Sequence, residues 1–495
     1  MESFGKRMQA GAIWMLVAKL FDQGLGLVST LVLARLLVPE DFGLVAMATA
    51  VIAALELLTA FSFDMALIQN QKATRAHYNT VWTFNLLLGL TVGLALLLLA
   101  VPVAQFYREP KLELVMVFLA AGVLIQGLEN VGIVDFRKEM QFHKEFQFVL
   151  LKKIASVSTG IVLALTFRSY WALVGGILAG KAVGLVLSYA MHPYRPRLSL
   201  EARGELFHFS KWLLLNNLLS FLWTRSADIV IGRFLGSRPL GLYNMALTIA
   251  HIPTTNLSAP INRAVFPGYA KMSDDLAVLR QGFLNVISVI SLVTLPAAGG
   301  IAVTAELAID VLLGEKWAAA VPLLQILAFY TAISAINGNI FYVFTALGTP
   351  RTFTFLVGSS LLVFLPILIL LTREYGPWGA AVAQLATNLI FFPIYYGTLL
   401  RRLDLRLGRF LAVMWRPVLG TGIMFAVVDW FQSQVSLSQG TAGAGLELLL
   451  AILLGALVYV VVVLILWQAA GRPEGAERFL LDRSLGIVRK IGARA

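Results

Sequence analysis

The chain has 495 residues, of which 59% are hydrophobic and 13% charged, with a formal net charge of +12. Soluble chains carry about a quarter charged residues, so this composition excludes an ordinary globular domain. The chain has no cysteine, which excludes thiol catalysis, disulfides and cysteine-ligated metals, and its five scattered histidines show no metal-ligand spacing.

Several runs, 86–104 and 375–400 among them, are free of charge. They exceed or match the roughly 20 helical residues that cross a bilayer core. In chain order, spans are expected at about 12–34, 42–69, 80–105, 112–134, 147–167, 170–191, 212–232, 240–268, 282–306, 320–346, 352–372, 378–400, 410–429 and 445–468. The expected fold is an all-α polytopic membrane protein with 14 transmembrane helices. The N-terminus does not read as a cleavable signal, because Lys6 and Arg7 precede a helix that holds Lys19, Asp22 and Gln23.

The even span count puts both ends on one side. Of the 39 Lys and Arg residues, 24 then fall in inner loops and tails, 8 in outer loops and 7 within spans. That asymmetry places both termini in the cytoplasm. It also accounts for the positive balance without nucleic acid.

The chain repeats itself. Trp14–Ala48 aligns without a gap on Trp212–Ala246, pairing Trp14 with Trp212, Arg35 with Arg233, Gly43 with Gly241 and Ala48 with Ala246. A second echo links Arg168–Trp171, after span five, with Arg373–Trp378, after span eleven. The copies start at spans one and seven and enter from the same side. They are therefore two parallel-repeat lobes of six helices, an arrangement typical of transporters. The expected organisation is an N-lobe at 1–197 (helices 1–6), a C-lobe at 198–402 (helices 7–12), and helices 13–14 with a basic cytoplasmic tail at 403–495. A linker at 192–211, with Pro193 and Pro196, joins the lobes.

Ionisable residues inside spans are costly and face a cavity or a partner. The candidate cavity cations are Lys19, Lys152, Lys181, Arg225 and Arg263; Lys153 reads either as one more or as a headgroup contact. Lys19 with Asp22, and Arg225 with Asp228, are spaced to pair on one helix. Lys152, Lys181 and Arg263 have no local acid partner, and this excess of buried cations points to an anionic substrate, phosphate above all. Asn216, Ser220, Thr224 and Asp228 recur every four residues. Asn244, Thr248, His251, Thr255, Ser258 and Asn262 alternate spacings of three and four. Each set forms a polar face that either lines an aqueous cavity or glues helices together. Glu56, Asp22 and Glu129 are the candidate ion-coupling acids, for H+ or Na+. Glu40 and Asp41 sit in a short loop, where Asp41 reads as a helix N-cap.

Leu36–Gly43 (LLVPEDFG), Asp135–Phe142 (DFRKEMQF), Asp228–Gly236 (DIVIGRFLG), Leu240–Tyr243 and the pair Phe266, Pro267 occur in an order that resembles the polysaccharide transporter family. That family belongs to the multidrug/oligosaccharidyl-lipid/polysaccharide flippase superfamily, and the likeness is to Wzx-type and colanic-acid-type exporters. It implies a two-lobed flippase of the bacterial inner membrane whose substrate is an undecaprenyl-diphosphate-linked oligosaccharide. It implies no cofactor and no enzyme activity, with membrane lipids and polysaccharide polymerase machinery as partners. Fourteen spans also match the related lipid II flippases, in which the last two helices form a lipid-binding groove. The rival readings are a lipid II-type flippase, a multidrug or cation antiporter of the same superfamily, and an O-antigen ligase or polymerase. An antiporter would favour cavity acids over cations. A ligase would need a large outer loop, and Trp430–Ala444 is the longest in this map.

Overall fold

The computed structural model describes residues 2–57, 63–203, 211–435, 440–473, 475 and 477. The described residues form helices and no strand. In order these are α1 (Glu2–Leu36), α2 (Pro39–Leu57), α3 (Phe63–Gln69), α4 (Arg75–Tyr107), α5 (Lys111–Gly127), a 3-10 turn (Val131–Val134) leading into α6 (Asp135–Lys138), α7 (Phe142–Phe167) and α8 (Trp171–Met191). There follow α9 (Lys211–Leu235), α10 (Ser237–His251), α11 (Thr255–Met272), α12 (Leu276–Val303), α13 (Ala305–Leu312), α14 (Val321–Ala346), α15 (Pro350–Arg402), α16 (Leu407–Gln434) and α17 (Thr441–Ala469).

The burial pattern is that of a membrane bundle. Large apolar side chains face outward, with Leu98, Val186 and Leu362 at 70%, 67% and 76% exposure. Lipid replaces water as their solvent. Eight described helices are long and apolar enough to cross a membrane, or nine if α5 and the 131–138 piece make one span. Fourteen is not reached on that measure. That count covers the described residues alone and takes α15, which extends over two expected spans, as one helix.

Several expected spans are broken. Span four is not one helix through 134: α5 ends at Gly127 and the chain bends by 68°. Asn130 makes the break, since its side chain accepts from Gly132 N–H at 2.9 Å and caps the next turn. In span two, α2 is described to Leu57 and α3 from Phe63, and residues 58–62 lie outside the described residues. In span eight, α10 ends at His251 and α11 restarts at Thr255, with Pro253 in the turn between. Between spans eleven and twelve, Gly376 (φ 65, ψ −149) interrupts the long α15 just before Pro377.

Two compact units divide the chain, 1–241 and 242–495. In the first, α7 packs on α1 and α8, α4 on α5, and α2 on α5 and α9. The α7–α8 contact is close because small residues face each other: a Cβ on Gly176 would lie 2.9 Å from Ser156 O. In the second, α12 packs between α14 and α16, and α16 packs on α17. Its core holds an aromatic cluster in which Phe392 and Phe410 flank Tyr396, with ring centroids 4.4 and 4.6 Å from it.

The described part of the linker is held down on α4. Arg197 N–H donates to Asn79 Oδ1 (3.0 Å), Ser199 N–H to Thr83 Oγ1 (3.0 Å) and Ala202 N–H to Thr80 Oγ1 (3.2 Å). An extended segment has no ladder of its own, so these side chains satisfy its donors.

Candidate substrate cavity

The first unit contains a charged cavity of about 580 Å3, lined in part by Asp22, Glu129, Arg137, Lys152, Lys153 and Lys181. A second cavity of about 460 Å3 shares Glu129 and Arg137 and adds Glu56, Asn85 and Gln126. Glu129 stands in the α5 break, between the two. The broken helix thus bends the chain and sets the Glu129 carboxylate on the lining of both cavities.

The cavity lysines are not an uncompensated excess. Lys152 Nζ lies 2.7 Å from Glu129 Oε1, and Lys153 Nζ lies 3.3 Å from Asp22 Oδ1. Lys181 is within electrostatic reach of Glu56 and Glu129. Lys152 and Lys181 have no local acid partner on their own helices, as the spacing says, but neighbouring helices supply one, so the inferred excess of buried cations does not hold at these two. Asp22 is likewise joined to Lys153 on α7, not to Lys19 three residues before it. Small residues make room for this network, since a Cβ on Gly184 would meet Glu129 Oε1 at 2.6 Å and Lys152 Nζ at 2.7 Å.

Arg225 and Asp228 pair on α9 as the spacing predicts, Nη1 to Oδ2 at 3.1 Å, with the Asp228 side chain 4% exposed. Ser220 and Thr224 are exposed, and Thr224 Oγ1 donates back to Ser220 O at 2.8 Å. Thr248 is exposed and bonds back to Asn244 O at 2.7 Å. Hydroxyls satisfied by their own helix need no partner and remain free to meet solvent or substrate. Asn262 is buried, and its Oδ1 accepts from Asn339 Nδ2 at 2.8 Å, while Tyr269 donates to Asn339 Oδ1 at 3.0 Å. That network joins α11 to α14. His251 is half-buried at the end of α10, and Lys19 is half-buried on α1. The side chains of Asn216, Thr255, Ser258 and Arg263 lie outside the described residues.

Asp41 is not an N-cap. It lies inside the first turn of α2, where Oδ2 accepts from Val38 N–H (3.2 Å) and Oδ1 from Tyr170 N–H (2.9 Å) at the start of α8. Burial pushes its carboxyl above the usual range, against the pull of those two N–H donors.

Sequence reading missed two groups. Arg137, the arginine of the DFRKEMQF motif and not among the candidate cavity cations, lines both cavities and pairs with Glu145 of α7. Asp135 accepts from Tyr78 and lies 3.4 Å from His192 Nε2. The DFRKEMQF motif therefore ties α4, α7 and the linker together at one end of the unit. The motif itself was the available signal.

The second unit holds an apolar groove of about 540 Å3, lined among others by Pro296 and Gly300 of α12, Met424 and Val428 of α16, and Ile452 and Tyr459 of α17.

Comparison with known proteins places this architecture. The chain is similar to the lipopolysaccharide biosynthesis protein WzxC of Escherichia coli, 27% identical over 84% of this chain and 85% of that protein. It is 25% identical to the succinoglycan biosynthesis transport protein ExoT of Rhizobium meliloti, over 97% of this chain and 96% of that one. Among solved structures it resembles the lipid II flippase MurJ in an inward closed conformation, with a TM-score of 0.73 and 15% identity over 93% of this chain and all (100%) of that one. An inward-facing multidrug resistance MATE transporter matches at a TM-score of 0.56 and 14% identity, covering 80% and 99%. The chain thus shares its fold with these two solved transporters. A family model described as polysaccharide biosynthesis protein matches residues 32–322, more than half of the chain, and the chain belongs to that family.

Proposed function

We propose that the protein is a flippase that moves an undecaprenyl-diphosphate-linked oligosaccharide across the bacterial inner membrane, by alternating access, for cell-surface polysaccharide biosynthesis. Both termini are cytoplasmic, fourteen spans cross the membrane, and the working lobes are 1–197 and 198–402, with 403–495 appended. The observation that carries this reading is the charged cavity within an otherwise apolar bundle, where Lys152, Lys153 and Lys181 gather beside three carboxylates. A sugar–diphosphate head crossing hydrocarbon needs its water and counterions replaced, and lysine ammonium groups supply that replacement.

Because each lysine is already neutralised, the diphosphate binds by exchange. It displaces Glu129 and Asp22 from Lys152 and Lys153, and the released carboxylates take up water or a cation. Exchange suits a carrier better than a trap, since the pairs re-form when the substrate leaves. The apolar groove beside α16 and α17 takes the polyprenyl chain, which stays in hydrocarbon throughout. Glu56, near Lys181 and on the rim of the second cavity, is the leading carboxylate for coupling to H+ or Na+. No covalent step is required, so the protein is not an enzyme. The names of its relatives support this assignment: a succinoglycan transport protein in Rhizobium meliloti, and a probable low-salt glycan biosynthesis flippase in Haloferax volcanii that is 23% identical over 54% of this chain.

Depleting the protein in its native cell tests the reading. The lipid-linked oligosaccharide should accumulate with its sugars accessible only from the cytoplasmic face. Accumulation on the outer face would instead assign the protein to a later step, such as polymerisation or ligation.

A further inference from the structure

Among the described residues of the second unit, one cation, Arg416, is buried. Arg416 lies on α16, about 14 Å along the helix from its first residue at 1.5 Å per residue. Its partner comes from beyond the last helix. After α17 the chain turns at Gly471 (φ 79), and Trp467 Nε1 donates to Pro473 O at 3.0 Å. The returning segment sets Glu477 Oε1 2.8 Å from Arg416 Nε, with the two side chains 6% and 2% exposed. Glu477 Oε2 is buried and makes no hydrogen bond among the described residues. The carboxylate thus uses one oxygen on a guanidinium whose fork can hold two.

Arg416 is also in line with the apolar groove. Arg416, Gly420, Met424 and Val428 recur every four residues along one stripe of α16. Met424 and Val428 line the groove, and Gly420 backs onto Tyr459, another lining residue, whose ring lies 3.1 Å from a Cβ built on Gly420. A slot for hydrocarbon with a guanidinium beyond one end has the shape and polarity of a phosphate-headed lipid.

We propose that Arg416 is a lipid-phosphate site, and that Glu477 is a built-in plug whose carboxylate stands where the phosphate binds. Seating the lipid requires the tail to leave. This rests on the reading that the groove takes a polyprenyl chain. The exchange has a physical basis: removing one member of a buried ion pair leaves a charge that seeks another partner. A lipid phosphate offers at least two terminal oxygens to the guanidinium fork, where Glu477 uses one.

The test uses the full chain, purified in detergent, with undecaprenyl phosphate, phosphatidylglycerol and inorganic diphosphate as probes. Glu477→Gln should bind undecaprenyl phosphate or phosphatidylglycerol at least tenfold more tightly than the unmodified protein, and whichever lipid gains identifies the source of the phosphate. The double variant Arg416→Met with Glu477→Met keeps the packing without either charge and should lose that gain. In the unmodified protein, the preferred lipid should raise hydrogen exchange at residues 471–477, a readout that does not depend on any variant folding. The proposal is overturned if Glu477→Gln binds no lipid more tightly, if the double variant binds as well as Glu477→Gln, if the preferred lipid leaves exchange unchanged, or if inorganic diphosphate alone releases the tail as well as a lipid does. Binding and exchange are read without transport, so a protein that fails to flip yet releases its tail refutes the transport reading and leaves the plug standing.

Discussion

Gly43 and Gly241, 198 residues apart, are the same position in the two copies of the repeat, and they pack against each other's helix starts in mirrored fashion. A Cβ on Gly43 would lie 1.8 Å from Ser237 O, and a Cβ on Gly241 would lie 1.8 Å from Pro39 O. Pro39 and Ser237 are themselves 198 apart. The contact is a local two-fold, made of the first turns of α2 and α10, and the duplication in the sequence survives there as symmetry in space. Alanine in place of glycine within a helix normally stabilises by about 0.5–1 kcal/mol. At these two positions the clash with a backbone oxygen outweighs that gain. Gly43→Ala and Gly241→Ala should each lower stability by about 2 kcal/mol. Gly422→Ala, on a helix with nothing within 4 Å, should be neutral or mildly stabilising. Thermal unfolding of the three variants in detergent checks this; equal behaviour would show that the helix starts are not in contact.

The Lys152–Glu129 pair should behave as a coupled unit. Its side chains are 28% and 16% exposed, so each charge depends on the other. Lys152→Met and Glu129→Gln should each destabilise, and the double variant should cost less than the sum, with a coupling of about 1–3 kcal/mol. A double-mutant cycle by thermal unfolding measures it. Additive losses would remove the pair from the cavity network.

The helices, the repeat and the placement of charges inside spans follow from apolar runs and spacing, which are local properties. Arg225 and Asp228 were legible as a pair because both lie on α9. Lys152 with Glu129, and Lys153 with Asp22, were not, because each pair joins two helices and no one-dimensional spacing encodes that. The polar face of span eight was read as a single stripe, yet Asn262 is spent on Asn339 in helix packing. Periodicity says which residues share a face and not what the face meets. Glu477 was the least legible: one acid in a basic tail gives no sign that it returns to a buried arginine.

The linker should loosen in acid. Burial pushes the His192 imidazole below its usual 6.5, helped by Lys144 and Arg195 and opposed by Asp135 and Glu139. Tyr194 N–H donates to His192 Nδ1 at 3.2 Å, a bond that only the neutral ring accepts. A depressed folded-state pKa means that the stabilisation is complete above pH 6.5 and is lost as pH falls below it. Protease cleavage within 192–203 should therefore rise as pH drops from 7.5 to 5.5. His192→Asn keeps an acceptor without the titration and should flatten the profile. An unchanged profile in that variant would exclude His192 as the cause.

Coupling is tested at Glu56. Glu56→Gln mimics a protonated carboxyl and should make flipping insensitive to imposed H+ or Na+ gradients. If neither gradient accelerates the unmodified protein, Glu56 has no coupling role. Transport is then driven by the membrane potential, worth about 2.3 kcal/mol per charge per 100 mV, or by downstream consumption of the substrate.

The most direct measurement is flipping itself. Purified protein would be reconstituted into liposomes carrying an undecaprenyl-diphosphate-linked oligosaccharide, and the sugars exposed on the outer face followed with time. The unmodified protein should equilibrate the lipid at least tenfold faster than liposomes without protein. Lys152→Ala and Lys181→Ala should each remove most of that rate while keeping the melting profile of a folded protein. If the unmodified protein leaves the lipid on its starting face, or if both lysine variants flip at the full rate, the charged cavity is not the path of the head group.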